Sequence, residues 1–123
     1  MANKKNDNND MIILDLDRKR VVKFTHKALK RLSALLGKPL HTVIIDAQED
    51  IYDKLEVYML CGLMKDAEEN GELLKADDID DILDKADNFY EITEACQMAF
   101  MKSLGYKEDE DQSENNQAAT EKN

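Results

Sequence analysis

The chain has 123 residues, 42% of them hydrophobic and 36% charged, which suits one domain with one modest core. Its 17 Lys and Arg stand against 27 Asp and Glu, a net charge of −10 that argues against a general nucleic-acid binder, whose surface has to be basic. No apolar run approaches the roughly 18–20 residues of a membrane span, and the opening MANKKNDNND lacks the apolar stretch of a signal peptide, so the expected setting is the cytoplasm with no membrane contact.

Residues 1–10 are almost entirely Asn, Asp and Lys, and 106–123 hold no aliphatic side chain larger than Ala. Neither segment can bury enough to offset its ordering entropy, so both are expected to be disordered, the second as an acidic tail. A single folded domain is expected over 11–105. It opens with two β-prone runs, Met11–Leu16 and Val21–Phe24, joined by the charged stretch Asp17–Arg20. This spacing predicts an antiparallel hairpin that has to pack on helices.

Thr25 reads as a helix N-cap, and Ala28, Leu29, Leu32, Leu35 and Leu36 then recur at helical spacing until Gly37 closes the helix. Pro39 keeps that helix from resuming, and Leu40–Ala47, with its Val43-Ile44-Ile45 run, fits either a strand or the first turns of a helix. Ile51–Glu69 reads as a long central helix ended by Asn70-Gly71. Ile51, Leu55, Tyr58, Met59 and Leu63 form one stripe, broadened by Tyr52, Leu60 and Met64, so burial on more than one side is expected. Asp77 or Asp78 can cap a short helix carrying Ile79, Ile82 and Leu83. Asn88, with Glu91 three residues on, caps a last helix that carries Phe89, Ile92, Cys96, Ala99, Phe100 and Leu104 up to Gly105. The fold class is therefore α+β, mainly α: an N-terminal β-hairpin packed on a small bundle of four to five helices. Leu32, Leu55, Leu63, Ile82, Ile92 and Phe100 are the expected core.

Charge is segregated along the chain. Arg18–Lys38 holds eight Lys and Arg and no acid, whereas Asp46–Glu94 holds four Lys and seventeen acids. The basic segment is expected to meet acidic surface of its own chain or of another copy, because no aromatics interleave with it as nucleic-acid stacking requires. The acidic stretch Asp77–Asp81 fails the spacing of a calcium loop, since Ile79 or Ile82 falls where a ligand is needed, and reads instead as favourable charge on a helix's first turn. Cys61 and Cys96 form no CxxC pair, and with only His26 and His41 beside them they read as buried thiols without a metal. No nucleophile–base set, phosphate-binding loop or other cofactor motif is present. Enzymatic activity is not expected.

The run ILDLDRKRVVKFTHKALKRLSALLGKPL resembles the opening of the tail assembly chaperones of long-tailed phages and prophages. In that family a hairpin with a charged turn leads into a helix of the form FxxxALxxLxxxxGK, matched here by Phe24, Ala28, Leu29, Leu32, Gly37 and Lys38. An apolar helix with Gly62-Leu63, a short acidic helix over Leu74–Asp84 and a final helix ending at Leu104-Gly105 follow the same order. The resemblance covers Met11–Gly105 and rests mainly on core positions. It implies a non-enzymatic protein that self-associates, coats the helical tape measure protein and is displaced by tail tube protein. The expected partner-binding residues are Ile44, Ile45, Tyr52, Met59 and Met64, which widen the stripe beyond Ile51, Leu55, Tyr58 and Leu63. A small acidic adaptor that binds another protein through a helical apolar groove is the alternative reading.

Overall fold

The computed structural model describes residues 11–105. The expectations for 1–10 and 106–123 lie outside the described residues. Strand β1 (Ile12–Asp15) pairs antiparallel with β2 (Lys19–Val22), and six helical segments follow: α1 (His26–Leu36), α2 (Leu40–Asp53), α3 (Leu55–Gly62), α4 (Met64–Glu69), α5 (Ala76–Leu83) and α6 (Phe89–Ser103). The architecture is mainly helical with a two-stranded N-terminal hairpin.

The hairpin turn is tighter than Asp17–Arg20, because Lys19 and Arg20 belong to β2. The register sets Ile12 against Val22 and Leu14 against Arg20, so the inward row holds Leu14, Val22 and a buried arginine. Period-2 alternation decides this: Val22 must face the core, and Arg20 two residues earlier shares its face.

Helix α1 starts as expected. Thr25 Oγ1 accepts the Ala28 amide at 3.1 Å, and Gly37 closes the helix in the left-handed conformation at φ 69°. Leu35 is half exposed, so the buried face of α1 is narrower than the leucine pattern suggests.

The ambiguous segment 40–47 is helical and continues to Asp53. Pro39 begins this helix, its carbonyl accepting the amides of Thr42 and Val43 at 2.9 and 3.0 Å. Its fixed φ suits a helix start. Helix wins over strand because Val43, Ala47 and Ile51, spaced by four, all fall on the core face and are buried.

The single helix expected over Ile51–Glu69 is instead divided at Lys54 (φ −125°) and Leu63 (φ −97°). The second break has a visible cause. The Gly62 carbonyl accepts the Lys23 amide at 2.8 Å, which ties the end of the hairpin into the helix. A backbone donor entering the helical ladder in this way bends a helix.

Gly62 also lets Phe24 come close. A β-carbon at this position would sit 3.1 Å from Phe24 Cζ and 3.1 Å from Val22 Cγ1, and both side chains are buried. Gly62→Val is therefore expected to destabilise the domain by about 1–3 kcal/mol through overpacking, despite valine's better helix propensity. Urea denaturation checks this; an unchanged midpoint would mean that Phe24 can move aside.

Helix α3 is buried from Tyr58 to Gly62 and forms the centre of the domain, in contact with α1, α2, α5 and α6. All six expected core residues are buried: Leu32, Leu55, Leu63, Ile82, Ile92 and Phe100. Lys75, not Asp77 or Asp78, occupies the N-cap of α5, and the two aspartates lie in its first turn, where they favour the helix dipole. Asn88 caps α6 as expected, its Oδ1 accepting the Glu91 amide at 2.8 Å. Phe89 and Leu104, expected on the buried stripe of α6, are exposed at 54% and 39%. They lie at the two ends of the helix, where burial is less complete than at its middle turns.

Among the described residues no helix is long and apolar enough to cross a membrane.

Candidate protein-binding surface

Five of the eight basic side chains of Arg18–Lys38 pair with acids of their own chain. The strongest group ties the hairpin to α4 and the loop after it. Arg20 is 3% exposed, and its guanidinium grips Asp17 through Nε at 2.7 Å and Nη2 at 2.9 Å, while Nη1 donates to Glu72 at 2.9 Å. Arg18 donates to Glu72 at 3.0 and 3.1 Å and to the buried Asp66. Asp66 also accepts the Val21 amide at 3.2 Å. These are charge-assisted bonds with several donors and acceptors satisfied at once, the arrangement that makes buried ion groups tolerable.

The hydrogen bonds from Arg18 and Arg20 hold the Glu72 carboxyl below its ordinary range, and the hydrogen bond from Arg20 does the same for Asp17. Both carboxylates are thus bound more tightly when ionised in the folded state. Their contribution is complete above the ordinary values of 4.5 and 3.8 and is lost as pH falls through the lower folded-state values. The melting temperature is expected to fall steeply below about pH 4. Glu72→Gln should start lower and show a shallower acid decline, measured by calorimetry across pH 2–7.

Lys38 closes the α1–α2 corner, donating to Asp46 at 2.9 Å and to Asp50 at 2.7 Å. Those two hydrogen bonds hold its ammonium above the ordinary lysine range. Lys27 meets Glu68 at 3.4 Å on the exposed surface, and Lys19 meets Asp15 at 3.5 Å. Such pairs contribute little. Lys23, Lys30 and Arg31 have no carboxylate within ion-pair reach among the described residues.

Cys61 and Cys96 are free and buried, and burial pushes the Cys61 thiol up to about 11. Burial pushes Cys96 up as well. Thiols held protonated in this way are poor nucleophiles. Burial also pushes the Tyr58 hydroxyl up to about 12, and it has no hydrogen-bond partner among the described residues.

The five residues expected to bind a partner separate into three groups. Ile44, Ile45 and Tyr52 are exposed at 39%, 66% and 48% on the outer side of α2. Met64 is half-buried. Met59 is fully buried, so it belongs to the core and cannot form part of a surface. The physical reason is that α3 is enclosed from Tyr58 to Gly62, so a wide stripe there signals a central helix, not a leftover face.

The exposed α2 residues have a neighbour that sequence reasoning placed in the core. The Tyr52 and Phe89 rings lie 6.4 Å apart, inclined by 38°. Tyr90, beside Phe89, is 66% exposed. Ile45 and Tyr52, seven residues apart, share one side of α2 with the exposed polar side chains of Gln48 and Glu49 between them, and Tyr52 adjoins the first turn of α6.

Beside Tyr52 and Phe89 opens a groove of about 510 Å³ between α2–α3 and α5–α6. Leu83 and Ile92 lie in its floor, and the exposed carboxylates of Glu56, Asp80 and Asp84 line it. None of the three is ion-paired among the described residues. Apolar contact area rimmed by polar groups is the usual make-up of a protein-binding surface. Among the described residues no three His, Cys, Asp or Glu side chains are grouped to hold a metal ion. No protein-family model, curated protein or solved structure matches this chain.

Proposed function

We propose that this chain is a non-enzymatic tail assembly chaperone of a long-tailed phage or prophage. It acts in the host cytoplasm, binds the tape measure protein and keeps it soluble until tail tube protein replaces it. The observation that carries the reading is the exposure of four large apolar side chains, Ile44, Ile45, Tyr52 and Phe89, on a domain that already has a well-filled core. A long amphipathic helix offers apolar side chains at the i, i+3, i+4 and i+7 spacing that such residues can meet. The order of hairpin, basic helix, apolar central helix, acidic helix and closing helix supports the same reading.

Co-expression with the tape measure protein encoded beside it tests the proposal. The wild-type chain is expected to keep that protein soluble and to co-purify with it. Ile45→Asp combined with Tyr52→Asp should abolish co-purification while changing domain stability by no more than about 0.5 kcal/mol per exposed site. A tape measure protein that stays insoluble with the wild-type chain would overturn the proposal and leave the acidic adaptor as the better reading.

A further inference from the structure

The outer face of α1 and the groove beside Phe89 are opposite in charge and alike in apolar content. Lys27, Lys30, Arg31, Ala34 and Leu35 are all exposed, and their spacing of three and four residues puts them on one side of the helix. Lys30 and Arg31 have no carboxylate partner among the described residues, Lys27 has only the exposed contact with Glu68, and no acid occurs anywhere in α1. Leu35 adds an apolar side chain that is 49% exposed. The groove has the reverse pattern among the described residues, with Glu56, Asp80 and Asp84 unpaired around Leu83 and Phe89 and no basic residue in its lining.

The two faces belong to different parts of the fold. Helix α1 packs on α2 and α3, whereas the groove is closed on its far side by α5 and α6. We propose that the occupant of the groove is α1 of a second copy of this chain, with Lys30 and Arg31 against Asp80, Asp84 and Glu56 and with Leu35 seated toward Leu83 and Phe89. Each contact uses one face of one copy and the other face of the next. It is therefore heterologous and leaves a free groove at one end and a free α1 at the other. Copies add head to tail unless the rotation between them closes a ring. Separated charge also explains how a chain of net charge −10 can attract itself: the interface joins its basic end to its acidic end, and repulsion elsewhere is screened by salt. The inference gives faces to the self-association in the proposed chaperone and needs none of that reading's tape measure binding.

Full-length protein tests it by sedimentation and light scattering over a range of concentrations. The wild type is expected to form assemblies that grow with concentration and weaken at raised ionic strength. Lys30→Glu/Arg31→Glu and, separately, Asp80→Lys/Asp84→Lys should each weaken self-association by at least about tenfold. The decisive result is the mixture. In the mixture each wild-type face meets its wild-type complement and each reversed face meets a reversed complement, so alternating assemblies should form again where neither variant assembles alone. A chain carrying all four reversals should assemble again. A wild type that is monomeric at every concentration overturns the proposal, as does a mixture that stays monomeric. If a charge reversal prevents folding, Lys30→Gln/Arg31→Gln and Asp80→Asn/Asp84→Asn take its place, and assembly unaffected by either neutral pair overturns the proposal as well. Tape measure co-purification by an assembly-defective variant separates failure of this interface from failure of the chaperone reading.

Discussion

Arg20→Ala is expected to lower the unfolding free energy by about 3–5 kcal/mol, the largest effect of any charged residue in the domain. The side chain is 3% exposed in the inward row of β2, opposite Leu14. Removing it leaves a void beside that leucine and takes away both bonds to Asp17 and the 2.9 Å bond to Glu72. Asp66 keeps its contact with Arg18, so the loss falls mainly on the turn of the hairpin and on Glu72. Arg20→Lys should recover only part of the stability, because a single ammonium cannot serve Asp17 through two parallel bonds and reach Glu72 as well. Lys19→Ala, one residue away in a pair with both side chains about three-quarters exposed, should change stability by less than about 0.5 kcal/mol. Guanidinium or urea denaturation of the three variants makes the comparison. A loss under about 1 kcal/mol for Arg20→Ala would mean that the ion group adds nothing net and that the hairpin is held by its apolar row alone.

Phe100→Ala should be of similar size, about 3–5 kcal/mol, for an unrelated reason. Phe100 is 2% exposed and stands edge-on to two other aromatic rings, Phe24 at 5.4 Å and 83° and Tyr58 at 6.0 Å and 70°. These contacts join the hairpin end, the central helix and α6, so truncation opens a cavity where three elements meet. Edge-to-face pairs add about 0.5–1.5 kcal/mol each to the area they bury. Phe100→Leu keeps most of the volume and should lose about 1–2 kcal/mol. Against a total stability of about 5–15 kcal/mol, the alanine variant should melt well below the wild type. A shift of only a degree or two by calorimetry would mean that the core closes over the gap.

Much of the framework was legible because its signals are local. Thr25 and Asn88 cap their helices through their own side chains, Gly37 takes the left-handed turn, and Pro39 marks a boundary, each through chemistry confined to a few residues. The core positions Leu32, Leu55, Leu63, Ile82, Ile92 and Phe100 follow from period alone. The candidate surface was legible only in part. Ile44, Ile45 and Tyr52 are exposed, but Met59, from the same excess of apolar residues, is in the middle of the domain. Composition along a helix reports how much apolar surface there is. It cannot report how many neighbours share it.

The hairpin, the caps at Thr25 and Asn88, the six expected core positions and the separation of basic from acidic segments therefore follow from the sequence, because each depends on spacing within one element or on counts along the chain. The tertiary structure alone decided the rest. It brought carboxylates from about fifty positions away to the inward-facing Arg20. It bent the central helix where the Lys23 amide enters at Gly62, and it brought Phe89 out of the expected core to lie beside Tyr52. It also paired Arg18, Arg20, Lys27 and Lys38 with acids of their own chain and left Lys30 and Arg31 without such partners among the described residues. The physical reason is common to all of these. A partner distant in sequence is chosen by how helices and strands pack, and local periodicity fixes which side of an element faces inward without fixing what it meets there.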